Sequence, residues 1–351
     1  MSTETQPSVP KRSVSEVLIG RPLETRTLAH QVVSKKVGLA VFASDAISST
    51  AYATEEILVI LALTGSLAYL GLSLPIAVAI GILLVIVTIS YRQTIFAYPN
   101  GGGAYIVARD NLGEVAAQVA GAALLTDYIL TVAVSISSGV AQIISAFPDL
   151  APFRVYLAVI IIGVVTLINL RGVRESGAVF AVPTYFFLVM MVITLGVGFF
   201  RWATGTWGVV TGMEMLEETA APITLFLVLR AFSSGSTALT GIEAISNGIT
   251  AFREPRSRNA AITLTAMSGI LIVLFLSITF LSHQVQAVPT HTEPIISQLS
   301  RTILGEGSIL YLMVIAGTAF ILLMAANTSY ADFPRLAALH AGDGFLPRQL
   351  T

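Results

Sequence analysis

Beyond residue 36 the chain is a succession of long apolar stretches separated by short polar ones. Eight of them approach or exceed the ~20 residues that a helix needs to cross ~30 Å of hydrocarbon. They run over 37–64, 68–91, 115–147, 154–170, 176–200, 222–250, 260–282 and 308–329. The pattern predicts an all-α, polytopic membrane protein. Residues 330–351 read as a short amphipathic piece on the membrane surface, closed by a Gly-Asp-Gly turn and a proline.

Two stretches are interrupted. The first breaks at SDAISST (44–50) and the sixth at FSSGSTALTG (232–241), where serine, threonine and glycine replace the aliphatic run. Such residues leave helical geometry readily and satisfy freed backbone groups with their own hydroxyls. In a transporter built from two inverted five-helix repeats, helices one and six correspond. Paired breaks there point to a substrate site near the midplane.

Composition agrees with a membrane protein: 55% of residues are hydrophobic and 11% charged, with a mean hydropathy of +0.83. The absence of cysteine excludes disulfides, thiolate metal sites and cysteine nucleophiles. His30, His283, His291 and His340 are far apart in polar flanks and read as solvated residues, and no cofactor is expected. A formal net charge of −1 excludes nucleic acid as a partner, because phosphate binding needs concentrated basic surface.

The distribution of charge says more than its sum. Residues 1–36 are polar, carry Lys11, Arg12, Arg21, Arg26, Lys35 and Lys36, and lack the apolar core of a cleaved signal peptide. With a cytoplasmic N-terminus, Arg92, Arg109, Arg171, Arg174, Arg253, Arg256, Arg258, Arg335 and Arg348 also fall inside. Arg154, Arg201 and Arg301 fall outside, and Arg230 lies within the sixth stretch. The positive-inside rule therefore predicts that the N-terminus is cytoplasmic.

Five acids fall inside predicted crossings: Asp45, Glu55, Glu56, Asp127 and Glu243. A buried carboxylate without a basic partner needs a proton or a cation. On the third stretch Asp127, Thr131 and Ser135 stand at steps of four and share a helical face. On the sixth, Thr240, Glu243 and Asn247 share a face, as do Asp45 and Tyr52 on the first. Oxygen-rich sites of this kind suit a hard monovalent cation whose hydration shell must be replaced and then restored. Glu55 and Glu56 are adjacent and cannot share a face, so one can line a pathway while the other reaches the outer interface. Arg230 is expected to neutralise one acid as a structural pair. The glycines of AYPNGGGAYIVARDNLG (97–113) lack the Lys-Ser/Thr of a phosphate loop and read as a tight connection between helices.

SDAISSTAYATEEIL, PNGGGAYIVARDNLG, LLTDYILTVAVSISSGVAQI, TLINLRGVRESG and GIEAISNGITAFREP, in this order, resemble the APC superfamily of cation-coupled permeases. More narrowly they resemble the KUP-type potassium importers of bacteria, the KimA-like branch. The first and third motifs are the specific ones, and the resemblance covers nearly everything from residue 36 to 340. It implies an inverted-repeat (5+5) fold with discontinuous helices 1 and 6, and symport of potassium with protons across a bacterial cell membrane. It further implies that Asp45, Tyr52, Asp127, Tyr128, Thr131, Ser135, Thr240 and Glu243 line the potassium path. Within that set Asp127, Thr131 and Thr240 would hold the ion, and Glu243 and Asp127 would couple protons.

The family has twelve helices and a cytoplasmic domain that binds a cyclic dinucleotide and joins two protomers, whereas this chain carries eight predicted crossings. The expected organisation is a cytoplasmic segment 1–36, a transmembrane domain 37–329 and a cytoplasmic piece 330–351, all part of a longer homodimeric protein. The competing reading is an amino-acid or polyamine permease of the same superfamily, although Asp45 at the first break would repel a substrate carboxylate. A membrane-embedded enzyme is disfavoured, since no nucleophile–base pairing or metal cluster is visible.

Overall fold

In a computed structural model of the chain, residues 33–101, 103–170, 177–211 and 222–350 are described. Lys11, Arg12, Arg21, Arg26, His30, Arg171 and Arg174 lie outside them. The described residues are almost entirely helical. Among the described residues six helices are long and apolar enough to cross a membrane: Ser73–Ala97, Glu114–Ala146, Pro148–Leu170, Ala181–Ala203, Arg256–Gln284 and Ile309–Gly342. The first and sixth apolar stretches are each broken into shorter pieces, as their sequences predict.

The first crossing consists of α1 (Lys35–Ser48), a 3₁₀ turn (Ser49–Ala51) and α2 (Ala53–Ala62). Ser34 caps α1 by accepting from the Val37 amide. The break is made by hydroxyls. Ser48, Ser49 and Thr50 each donate to the carbonyl three residues back, those of Asp45, Ala46 and Ile47, at 2.7, 2.6 and 2.7 Å. Bonding at i−3 competes with the α-helical ladder and tightens the turn to 3₁₀. Tyr52 then leaves helical geometry at φ −126° before α2 resumes.

The second to fifth crossings are α3 (Ser73–Ala97), α5 (Glu114–Ala146), α6 (Arg154–Leu170) and α7 (Gly177–Ala203), with α4 (Gly103–Leu112) on the connection before α5. The sixth runs through α8 (Leu225–Gly235), a 3₁₀ turn (Ser236–Leu239), a left-handed Gly241 at φ +81°, the single turn α9 (Ala244–Asn247) and a second 3₁₀ turn (Ile249–Ala251). The seventh is α10 (Arg256–Gln284). A short helix α11 (Ile295–Leu304) precedes the eighth, α12 (Ile309–Gly342).

The two broken crossings lie against each other. Val33 pairs with Phe252 in a short parallel bridge, the Val33 amide donating to Ala251 O and the Arg253 amide to Val33 O. Deeper in, Ser49 donates to the Ala238 carbonyl at 3.2 Å. Gly241 then approaches so closely that a Cβ would stand 2.7 Å from the Ala46 nitrogen and 2.8 Å from the Asp45 carboxyl carbon. Around this pair, α5 packs on α12, α3 on α10, and α1 on α7, α10 and α12. Hydroxyl pairs stitch the crossings together: Thr54 with Thr279, Thr88 with Ser268, and Ser44 with Thr328. Between helices in lipid such bonds supply attraction that apolar packing alone does not. In contrast, α6 is peripheral: Val165 is its buried residue, Leu157, Ala158, Ile161 and Ile162 pack half-buried on the bundle, and the opposite face is exposed.

Two features differ from the sequence expectations. The piece from residue 330 is not a separate surface helix, because α12 runs unbroken to Gly342 despite Pro334. Its last turns stay inside because Leu336, Ala337, His340 and Ala341 continue the buried face of the helix. His340, expected to be solvated, is 3% exposed. Its ring lies tilted against that of Tyr105, centroids 4.2 Å apart, and where a side chain at Gly121 would project. Tyr105 donates to Asp343, which also takes Arg109 at 2.7 Å, so α4 is pinned to the end of α12. The hydroxyl of Tyr105 is harder to ionise than usual, chiefly through burial and then through Asp343. The second feature is α11, which has no apolar stretch long enough to announce it. Ile295, Ile296, Leu299 and Ile303 bury one face, and Glu293 takes both Arg301 Nε and Nη2, at 3.1 and 3.0 Å.

Two substitutions test this architecture. Arg301→Ala strands the buried Glu293 carboxylate and is expected to cost about 3–5 kcal/mol, read as a lowered melting temperature in detergent, while the double change Glu293→Leu with Arg301→Met recovers most of it. Gly241→Ala forces a Cβ onto Ala46 and Asp45 at a left-handed backbone position, and is expected to lower thermal stability by at least ~1 kcal/mol; an unchanged melting temperature would contradict the close approach of the two breaks.

Candidate functional site

The candidate site lies at the two breaks, which α5 approaches through Asp127, within electrostatic range of Asp45 and Glu243, and Tyr128, bonded by Asn247. Asp45 opens the last turn of α1 and is 2% exposed, and Glu243 follows the Gly241 turn at 6%. From α5, Thr131 and Ser135 are buried and Asp127 is half-buried. Tyr52, at the start of α2, and Tyr128 are buried too, while Thr240 is half-buried.

What distinguishes this region is oxygen without a partner. Asp45 Oδ1, Tyr52 Oη, Ser135 Oγ, Thr237 Oγ1, Glu243 Oε1 and Ser246 Oγ are all buried with no hydrogen-bond partner among the described residues. Buried polar atoms are ordinarily satisfied, so such oxygens on three crossings are open to a water or an ion. Asp45 also lies within electrostatic range of Glu243, Asp127 and Asp332. No described Lys or Arg forms an ion pair with Asp45, Asp127 or Glu243. Carboxyls gathered in a low dielectric without basic partners need a cation or a proton to balance them.

The face arithmetic of the sequence holds for α5 and fails at the breaks. Thr131 and Ser135 share the inward face of a continuous helix. Asp45 and Tyr52 are both buried, but the 3₁₀ turn between them cancels the seven-residue register. Thr240, Glu243 and Asn247 do not share a helical face, since Gly241 reverses the backbone between the first two. Asn247 serves another purpose: its amide donates to Tyr128 Oη at 3.5 Å, and its backbone and side chain fill the space beside Gly101 and Gly103. The glycine-rich connection thus seats against the end of the sixth crossing. A side chain at Gly101 would meet the Asn247 carbonyl at 2.8 Å.

Three other sequence candidates are accounted for by local chemistry. Glu55 accepts from the Ile295 amide and caps α11, and Glu56 accepts from Ser234 at 2.8 Å. Arg230 is exposed and pairs with none of the described acids, contrary to the expected structural pair. It stands only two turns from the start of α8, where a long side chain reaches an interface more cheaply than a buried partner.

Four residues escaped the sequence reading. Thr237 and Ser246 lie inside the sixth break and were hidden among its many hydroxyls. Gln142, 0% exposed with both amide atoms unpartnered, stands seven residues beyond Ser135 and was visible as the same helical face. Asp332 was passed over because its segment read as surface. It lines a cavity of ≈ 90 Å³ with Phe42, Tyr128, Ala244, Asn247 and Arg335.

Residues 38–351 match a family model described as amino acid permease. The chain is also 46% identical over 339 residues to the potassium transporter KimA of Bacillus subtilis (strain 168), an alignment covering 97% of this chain and 56% of that relative. It therefore spans about half the length of the relative. Paired helix breaks, unpartnered oxygens at their junction and a match over nearly the whole chain agree: this multi-pass membrane protein belongs to the amino acid permease family, within the APC superfamily.

Proposed function

We propose that this protein is a KUP-type secondary transporter that imports potassium together with protons. The observation that carries the reading is the junction of the two breaks, where unpartnered oxygens and acids meet without a described basic partner. Potassium needs oxygen ligands that replace its hydration shell without gripping it too hard. Asp127, Thr131 and Thr240 hold the ion, Asp45, Tyr52, Tyr128 and Ser135 complete its path, and Glu243 with Asp127 carries the coupled proton. The name of the 46% identical relative, a potassium transporter, supports the same substrate.

The positive-inside distribution supports a cytoplasmic location for the Lys35, Arg253 and Arg335 end of the molecule. A membrane potential then favours entry of each positive charge by about 2.3 kcal/mol per 100 mV. Uphill import beyond that limit draws on the proton. Loading from outside, neutralisation of the acids by potassium, and release on the inner side constitute the cycle.

The amino-acid or polyamine reading has the family description in its favour. An amino acid would bring its carboxylate to the first break, where Asp45 stands 2% exposed and unpartnered at Oδ1. A polyamine meets no such repulsion and is separated from potassium by experiment.

Uptake of labelled rubidium by the complete protein in proteoliposomes tests both readings. Asp127→Asn is expected to reduce uptake at least tenfold, equivalent to about 1.4 kcal/mol. Glu243→Gln is expected to leave uptake driven by membrane potential but insensitive to an imposed pH gradient. Rubidium uptake that survives Asp127→Asn unchanged, or uptake of spermidine or leucine in its place, refutes the potassium reading.

A further inference from the structure

We propose that Asp332 is a second cation site on the cytoplasmic side, and that Arg335 is the displaceable counter-ion that occupies it between transport events. The assignment rests on the potassium reading above and concerns a group that reading does not use.

The cavity is the first argument. Its ≈ 90 Å³ gives room for several waters, enough for a monovalent cation that keeps part of its hydration shell. It shares Tyr128 with the central candidate site, and another of its walls is Ala244, which directly follows Glu243. The cavity therefore adjoins the central candidate site. Asp332 and Arg335 contribute its charged groups, both from α12.

The charge balance is the second. Glu243 and Asp45 each lie within electrostatic range of Asp332, and Asp127 within range of both. A cation leaving the central acids toward the cytoplasm meets Asp332 before bulk water. The acid at this position lowers the electrostatic step that the ion would otherwise face on leaving a cluster of carboxyls.

The third is the asymmetry of the ion pair. Asp332 Oδ1 accepts from Arg335 Nη1 at 2.9 Å, yet the acid side chain is 15% exposed and the arginine 71%. Both line the cavity, but the acid is largely enclosed while the arginine side chain is mostly in solvent. A pair spaced i,i+3 with one member so exposed is weak. A cation arriving from the central site can therefore take the carboxylate, and Arg335, tethered three residues away, returns when the ion departs. An ordinary surface pair accounts for the distance but not for the acid's place in a cavity that Tyr128 and Asn247 also line.

The test compares wild type, Asp332→Asn and Arg335→Gln in rubidium flux with the complete protein reconstituted in vesicles. Asp332→Asn is expected to cut inward flux about fivefold and to raise the internal potassium concentration that half-inhibits uptake by a similar factor. Its half-saturation for external rubidium should stay within twofold of wild type, and Asp332→Glu should restore the internal value. Arg335→Gln is expected to shift internal half-inhibition the opposite way, toward lower potassium. Because the arginine is mostly in solvent, this variant decides the matter even if Asp332→Asn does not fold. Wild-type internal half-inhibition in both variants overturns the assignment, as does a flux loss without that shift. A wild-type protein that moves no rubidium refutes the potassium reading itself, which separates the two failures.

Discussion

Hydrocarbon offers no partner to a backbone amide, a carbonyl or a carboxylate, and this constraint governs where the helices of this protein can be broken. A break in one crossing exposes polar groups that must be met by protein. Here Ser48, Ser49 and Thr50 turn their hydroxyls back onto the carbonyls that the break weakens. Ser49 is shared with Ala238 of the opposite break, so each interruption partly satisfies the other. Neither break is stable alone in lipid, and their juxtaposition follows from that instability.

The rest of the bundle makes this meeting possible by removing bulk. Gly241 admits the Asp45 turn, Gly235 stands against Ile57 and Ile80, and Gly248 against Phe42. The remaining contacts are apolar, with hydroxyl pairs at intervals between α2 and α10, α3 and α10, and α1 and α12. On one side α11 is tied in through Glu55 and through its own Glu293–Arg301 pair. On the other, the glycine-rich connection rests on Asn247, and α4 is held to α12 by Tyr105 and Arg109. Asp45, Asp127 and Glu243 are thus set in this packing without an ion pair to any described Lys or Arg.

The helices were legible because a membrane imposes length. About twenty apolar residues are required to cross, and the eight stretches supply them with polar gaps between. The breaks were legible for the same reason, since SDAISST and FSSGSTALTG interrupt runs that are otherwise aliphatic. Thr131 and Ser135 were found by helical period on a helix that stays continuous. The same period misled at Thr240 and Glu243, because a 3.6-residue count has no meaning across Gly241. The helix α11 and the buried end of α12 carry polar and charged residues at ordinary frequencies, and no local pattern distinguishes them from loops.

The sequence by itself determined that the chain is a helical membrane protein with two interrupted crossings and too many intramembrane acids for its basic residues. These properties follow from hydrophobicity, charge and hydroxyl content, which are local. Which oxygens lack partners, which acid faces a cavity and which histidine is buried were decided only by the tertiary structure. Gly241, Asp332 and His340 acquire their surroundings from residues far away in the chain, and packing between crossings sets those distances.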